Sequence, residues 1–257
     1  MVGRFRAAAA ALALGAAGGL AACAYNEELG RNQLLLVNDA SLAQSAQQAW
    51  AQTLASNRVS QDRAGAERVR RVGSRLVEAA GLSDRPWEYV LFENPQANAF
   101  VLPGGKIGVN TGLLAIVEND DQLAAVLGHE IAHTVAQHAA ERYSHAAATQ
   151  LAIAGAQGAL GGSNPDLGRQ VASLGGVGAQ LGVLMPFSRQ HELEADRLGV
   201  DYMARAGYRP AEAIALWRNM AARAQAGGRP PQFLSTHPSE ATRIAALEQY
   251  LASRGML

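Results

Sequence analysis

The run His129-Glu130-Ile131-Ala132-His133 constrains this chain more than any other stretch. Residues four apart share one face of an α-helix, so His129 and His133 aim two imidazoles at one point in space. Such a point suits a zinc ion. Glu130 sits about 100° further round the helix, where its carboxylate reaches a water on the metal without occupying the metal. Metal-assisted peptide hydrolysis needs that arrangement. The flanks read as helix from Asn119 to Tyr143: Asn119 with Gln122 makes a capping box, Asp120 and Asp121 place negative charge at the amino end, and Leu123, Val126, Leu127 and Ile131 are spaced for one apolar face. Gly128 costs about 1 kcal/mol of helix propensity, and its missing side chain leaves room for another element to approach.

The motif alone does not make a metal site, because the same five letters arise by chance on other helices. A further ligand is required. Glu141 lies eight residues past His133 on the same predicted helix, about 12 Å along its axis, and is too far to share the ion. Ala136 and Ala139 occupy the places where the metzincin pattern needs Gly and His, which excludes that class. The segment Ser188 to Gly199 offers a better source. If it is helical, Glu192 and Asp196 lie one turn apart on one face, and Glu194 points about 200° away from Glu192. Glu192 then binds zinc, and Asp196 hydrogen-bonds a ligand histidine from behind. His191 reads as surface or packing, and His138 and His145 carry no assignable chemistry.

The remaining chain reads as support. Helices are expected from Ser41 and again through Ala66 to Val77. The cluster Arg68, Arg70, Arg71 and Arg75, flanked by Glu67 and Glu78, reads as a solvated helix face. Trp87–Phe92, Ala99–Leu102 and Lys106–Val109 are strand-like, with a turn at Pro103-Gly104-Gly105, and predict a small antiparallel sheet ahead of the histidine helix. Its edge could accept an extended peptide as one more strand, or the sheet could simply roof the core. Asn98 is either a hydrogen-bonding partner for substrate backbone or a turn residue. Ala146–Leu160 and Leu167–Met185, separated by Gly161–Pro165, read as a helical hairpin or a mobile flap. Asp201–Gly207 extends the ligand helix and Pro210–Ala226 forms another.

Met1–Ala22 has the form of a secretory signal peptide, with Arg4 and Arg6 ahead of an uncharged Ala/Leu run that ends Leu20-Ala21-Ala22-Cys23. That ending resembles a bacterial lipoprotein cleavage site. The resemblance implies that Cys23, the only cysteine, becomes the acylated first residue, and Ala24 after it favours the outer membrane. Residues 23–40 then form a tether and 41–257 the folded domain. The 235 residues after the signal segment suffice for one core, and they carry 20 basic against 22 acidic side chains, which gives no reason to expect nucleic acid as a partner. Few aromatics and abundant Ala and Gly point to closely packed helices.

Four motifs together resemble the HtpX-type and CAAX-prenyl-protease family of zinc metallopeptidases, which are gluzincins. They are Gly128-His129-Glu130-x-x-His133, Ser188-Arg189 with Glu192-x-x-x-Asp196, Asn98-Ala99-Phe100 before Pro103-Gly104-Gly105, and Ser235-Thr236-His237-Pro238 with Arg243. The cleavage-site resemblance narrows this to periplasmic lipoprotein members. The resemblance implies a mainly helical α+β zincin-like domain with a small antiparallel sheet and one zinc ion per chain held by His129, His133 and Glu192. It implies Glu130 as general base, Asp196 behind the ligands, substrate contacts at Asn98, Ala99 and Phe100, and an active-site surround containing His237 and Arg243. His237 either stabilises the oxyanion with Arg243 or binds zinc as a fourth ligand. No convincing transmembrane helices follow the histidine helix, unlike the integral members, so a membrane-embedded prenyl-protein substrate is not implied.

The expected activity is that of a lipid-anchored endopeptidase of the periplasm that degrades misfolded or misassembled envelope proteins. A chaperone or assembly factor working with the outer-membrane assembly machinery, with latent hydrolysis, is the competing expectation. A purely structural zinc protein leaves Glu130 unexplained.

Overall fold

The computed structural model describes residues 23–37, 39–159, 187–225, 232–237 and 241–257. The expected signal peptide Met1–Ala22, the Leu167–Met185 half of the expected flap and Pro238 lie outside the described residues. In chain order the elements are β1 (Cys23–Asn26), β2 (Arg31–Leu34), α1 (Asp39–Ser56), α2 (Arg63–Ala79), β3 (Glu88–Phe92), β4 (Ala99–Leu102), β5 (Lys106–Asn110) and the short α3 (Thr111–Leu114). They continue as α4 (Asp120–Val135), α5 (His138–Ala159), α6 (Arg189–Arg205), α7 (Glu212–Gln225), the short α8 (Phe233–Thr236) and α9 (Ala241–Ser253). This is a mainly helical α+β zincin-like domain with small sheets, as the motifs imply. No helix among the described residues is long and apolar enough to cross a membrane.

β3, β4 and β5 form one sheet in the order β3-β5-β4. β4 and β5 make the expected antiparallel hairpin, and Gly104 and Gly105 in its turn both take positive φ, 85° and 78°, which a side chain would resist. β3 instead runs parallel to β5, so this sheet is mixed. Residues 93–98 carry the chain past the central position to the far edge, and β5 returns into the gap between β3 and β4. Strand alternation then serves two cores. Tyr89, Leu91, Ala99, Val101, Ile107 and Val109 face the main helical core, while Val90, Phe92, Phe100 and Leu102 face Trp50 on α1. The outer edge of β3 is covered, since Ser60 N donates to Leu91 O and Glu93 N donates to Arg58 O. The outer edge of β4 pairs with no strand among the described residues.

The histidine helix α4 starts where the sequence places it, with Asn119 Oδ1 accepting from Gln122 N at 2.9 Å. Gln122 reaches back one residue further than a strict capping box and accepts from Glu118 N at 3.0 Å. Two of the arginines read as a solvated face have a structural role: Arg68 and Arg71 each reach Asp120 at 2.7 Å and dock α2 onto the amino end of α4. The far end departs from expectation. α4 stops at Val135, Gln137 adopts φ 52°, and a separate helix begins at His138. Glu141 is therefore on α5, and no glycine or proline marks the break.

The stretch expected to be a tether is also ordered from Cys23. β1 and β2 pair as an antiparallel hairpin, and Arg31 on β2 forms 2.6 Å ion pairs to both Glu141 on α5 and Glu194 on α6. Its local sequence has little strand periodicity because partners more than 100 positions away hold it.

α4 and α6 cross at Gly128 and Gly199. A Cβ on Gly128 would lie 3.0 Å from Gly199 O, and one on Gly199 would lie 2.9 Å from His129 N, so the two backbones touch as closely as the chain permits. The room that Gly128 offers is thus filled by the helix that carries Glu192. Gly199→Ala must push the helices apart, because the obstructing atoms are backbone. We expect it to cost about 1–3 kcal/mol in urea unfolding; an unshifted midpoint would contradict the contact.

Candidate metal centre

α6 begins at Ser188, whose Oγ accepts from His191 N at 3.2 Å. That start places Glu192 in the first turn and Asp196 one turn later, both buried against α4. His237 follows the short helix α8, which is pinned by Phe233 N donating to Ala97 O and by Phe187 N donating to Thr236 O. Stacking on Phe233 at 4.4 Å orients the His237 ring. Thus α4, α6 and the residue after α8 bring four metal-ligand side chains together, all buried.

Their spacing carries the chemistry. His129 Nε2 and His133 Nε2 are 3.1 Å apart, and Glu192 oxygens lie 3.4 Å from the first and 3.5 Å from the second. His237 Nδ1 is 3.2 Å from His129 Nε2 and 2.9 Å from Glu192 Oε1. Donors bound to one tetrahedral zinc at its usual N/O bond lengths sit about 3.4 Å from each other. Two imidazole lone pairs this close also require a cation or a proton between them. The residues fit one zinc ion.

Behind this cluster, Asp196 Oδ1 stands 2.9 Å from His129 Nδ1. Arg243, buried on α9, grips Asp196 through Nε and through Nη2 at 2.8 Å, and its Nη1 lies 2.5 Å from Glu192 Oε2. The guanidinium rests over Trp217, 4.6 Å from the ring centre. One cation therefore fixes two carboxylates on consecutive turns of α6.

Glu130 is buried beside the cluster, with Oε1 3.2 Å from His237 Nε2. Burial raises its pKa, partly offset by the nearby His237 and His129. Asn98 Oδ1 is buried and makes no hydrogen bond, while Asn98 O accepts from Asn110 N at 3.0 Å. Phe100 turns its ring away toward Trp50 and Phe92, and Ala99 lies in the main core. Only backbone of those two residues is left for a substrate. Cys23 is exposed at the start of β1.

Several residues at the centre escaped the sequence reading. His138 is buried, with its Nδ1 2.9 Å from His133 Nδ1, and His191 takes the packing alternative of its reading, buried with its Nε2 3.2 Å from Glu141. Glu194 does point away from the metal ligands, and it points at His138. Phe187 stacks on His133 at 3.9 Å, and the Arg142 guanidinium lies 4.0 Å from the Phe187 ring centre. The available signal was the number of histidines close to the motif, but their convergence depends on the break at Gln137.

Peptidase family M48 matches residues 63–251 of this sequence. The chain belongs to that family. The M48 match runs from the first residue of α2 into α9 and so includes every ligand candidate. The mitochondrial metalloendopeptidase OMA1 of Schizosaccharomyces pombe is 38% identical over 183 residues, covering 71% of this chain and 52% of that protein. The mitochondrial metalloendopeptidase OMA1 of Bos taurus is 31% identical over 235 residues, or 86% of this chain and 45% of its own length. The beta-barrel assembly-enhancing protease of Escherichia coli K12 is 32% identical over 180 residues, 69% of this chain and 37% of its own. This M48 chain thus spans about half, or less, of the length of these relatives.

The charges at the centre make metal uptake pH-dependent. Burial alone would lower the His129 pKa, but Glu192 and Asp196 outweigh it and hold it at about 9; burial keeps His133 well below the usual imidazole range. His129 is therefore protonated at pH 7 in the metal-free protein. That raised pKa stabilises the metal-free fold fully below pH 6.5 and ceases to as pH rises through about 9. A metal must displace the proton. Calorimetry of zinc binding at pH 7 in buffers of different ionisation enthalpy should show release of about one proton, with affinity rising from pH 6 to 9; pH-independent uptake would contradict the assignment.

Proposed function

We propose that this protein is a zinc metalloendopeptidase in which His129, His133 and Glu192 would hold one ion, with His237 available beside them as a further donor. The observation that carries the reading is the convergence of these four buried donors within 4.8 Å of one another, with Glu130 beside them. Zinc, when bound, supplies a Lewis acid and lowers the pKa of water from about 15.7 toward about 7. Glu130 takes a proton from the attacking water and delivers it to the departing amine. The raised pKa of Glu130 suits a group that must accept and then donate. Asp196 orients His129 from behind. Arg243 acts by holding Glu192 and Asp196 rather than by polarising a carbonyl, since its guanidinium is engaged with both.

Substrate enters as an extended strand along the outer edge of β4, where the Asn98 amide oxygen lacks a partner. The chain acts on unfolded or misassembled envelope proteins from the periplasm, where acylated Cys23 anchors it to the outer membrane. Within M48 it is a lipoprotein member of the HtpX-like kind. Support comes from the Leu20–Cys23 cleavage-site sequence and the similarity to a beta-barrel assembly-enhancing protease.

The second reading, an assembly factor with latent hydrolysis, draws on His237 lying within the donor cluster as a candidate fourth donor and on that same relative. Glu130→Gln separates the two. It should retain zinc and fold and lower casein cleavage by about 10²-fold or more; undiminished turnover would refute the role of Glu130. Full rescue of a deletion strain by this variant would favour assembly, and no rescue would favour proteolysis.

A further inference from the structure

His133 has two ring nitrogens, and only one can face the metal. Its Nε2 lies within the donor cluster, which leaves Nδ1 carrying a proton in need of an acceptor. The nearest polar atom to receive it is Nδ1 of His138 at 2.9 Å. Accepting there forces the His138 proton onto Nε2, and that nitrogen faces Glu194 Oε2 at 3.0 Å. Each donor in the chain then has one acceptor. Glu194 is held in turn by Arg31, through Nε at 2.6 Å and Nη2 at 2.8 Å, while the same guanidinium takes both oxygens of Glu141 at 2.6 and 2.8 Å. Gln33, two residues along β2, is buried and donates to Ala136 O at 2.8 Å and to Glu141 Oε2 at 2.7 Å. The β1–β2 hairpin thereby grips the point where α4 ends and α5 turns back.

We infer that His138 is a positioning residue for the metal centre, fixing the tautomer and ring orientation of His133, and that Arg31 on the hairpin sets His138 through Glu194. His129 has Asp196 and Arg243 behind it; His133 has His138, Glu194 and Arg31. The two ligand histidines of α4 are each backed by a carboxylate–arginine pair, directly for one and through an imidazole for the other.

A competing use for this cluster is a second metal ion, since ligand atoms of His138, Glu141 and His191 lie within 4.8 Å of one another. The hydrogen bonds argue against it. Both Glu141 oxygens are occupied by Arg31 and Gln33, and both His138 nitrogens by His133 and Glu194, so the guanidinium already supplies the positive charge there.

The inference rests on His133 being a zinc ligand, and the test keeps the two claims apart. Leu and Asn have the same shape, but only Asn places an acceptor oxygen where His138 Nδ1 stands. Zinc affinity of the purified protein, measured by competition with a chromophoric chelator at pH 7, should fall by about 10–100-fold in His138→Leu. It should recover most of that loss in His138→Asn, and Arg31→Leu should show a smaller loss. Urea midpoints of the metal-free Leu and Asn variants should agree, which a merely structural role for the acceptor would not produce alongside different zinc affinities. Equal affinity in wild type and His138→Leu, or equal loss in the Leu and Asn variants, would overturn the inference. Unchanged affinity in His133→Ala would overturn the ligand reading and this inference with it.

Discussion

Two helices touching through glycine backbones set the geometry of this protein. Gly128 precedes the first motif histidine, and Gly199 lies one heptad beyond Glu192 on the opposing helix. Their contact brings α4 and α6 closer than side chains would permit. That approach lets a short carboxylate on α6 reach imidazoles on α4 without long, flexible side chains. The loss of helix propensity at Gly128, about 1 kcal/mol, is offset by the packing of two apolar faces that includes Leu127, Ile131, Ala195 and Leu198.

A donor cluster brought together in this way carries a problem of charge. Glu130, Glu192 and Asp196 are buried within one small volume, and carboxylates there repel each other and lose hydration. Burial works against charge on Glu192, yet the attraction and hydrogen bonds of His129, His133 and His237 keep it well below the usual carboxylate range. Asp196 is likewise lowered despite burial, chiefly by Arg243. For Glu130 burial outweighs the attraction of its neighbours, and it is shifted the other way. Neighbouring carboxylates are thus sorted: those that hold the site stay ionised, and the one suited to moving a proton is easier to protonate.

Much of this was legible in the sequence, because the pattern is local. Asn119 caps α4 as its sequence implies, and the four-residue spacings of His129 with His133 and of Glu192 with Asp196 each define one helix face. The strands and the turn at Gly104-Gly105 were equally legible from alternation and positive-φ glycines. What the sequence did not reveal depends on distant partners. The parallel alignment of β3 with β5 is decided by how the intervening loop crosses, and the hairpin at the amino end is decided by carboxylates on α5 and α6. The bend at Gln137 lacks glycine or proline. Missing it hid His138 and placed Glu141 on the wrong helix, because a continuous helix would carry both away from His133.

The proposed chemistry requires that α4 and α6 together bind a single ion. X-ray absorption at the zinc edge, on protein carrying one zinc per chain, tests that directly. It should give a four-coordinate spectrum with imidazole scattering and nitrogen or oxygen neighbours at about 2.0–2.2 Å, and Glu192→Ala should change the coordination and lower occupancy. A six-coordinate oxygen shell without imidazole scattering, unaffected by Glu192→Ala, would contradict it.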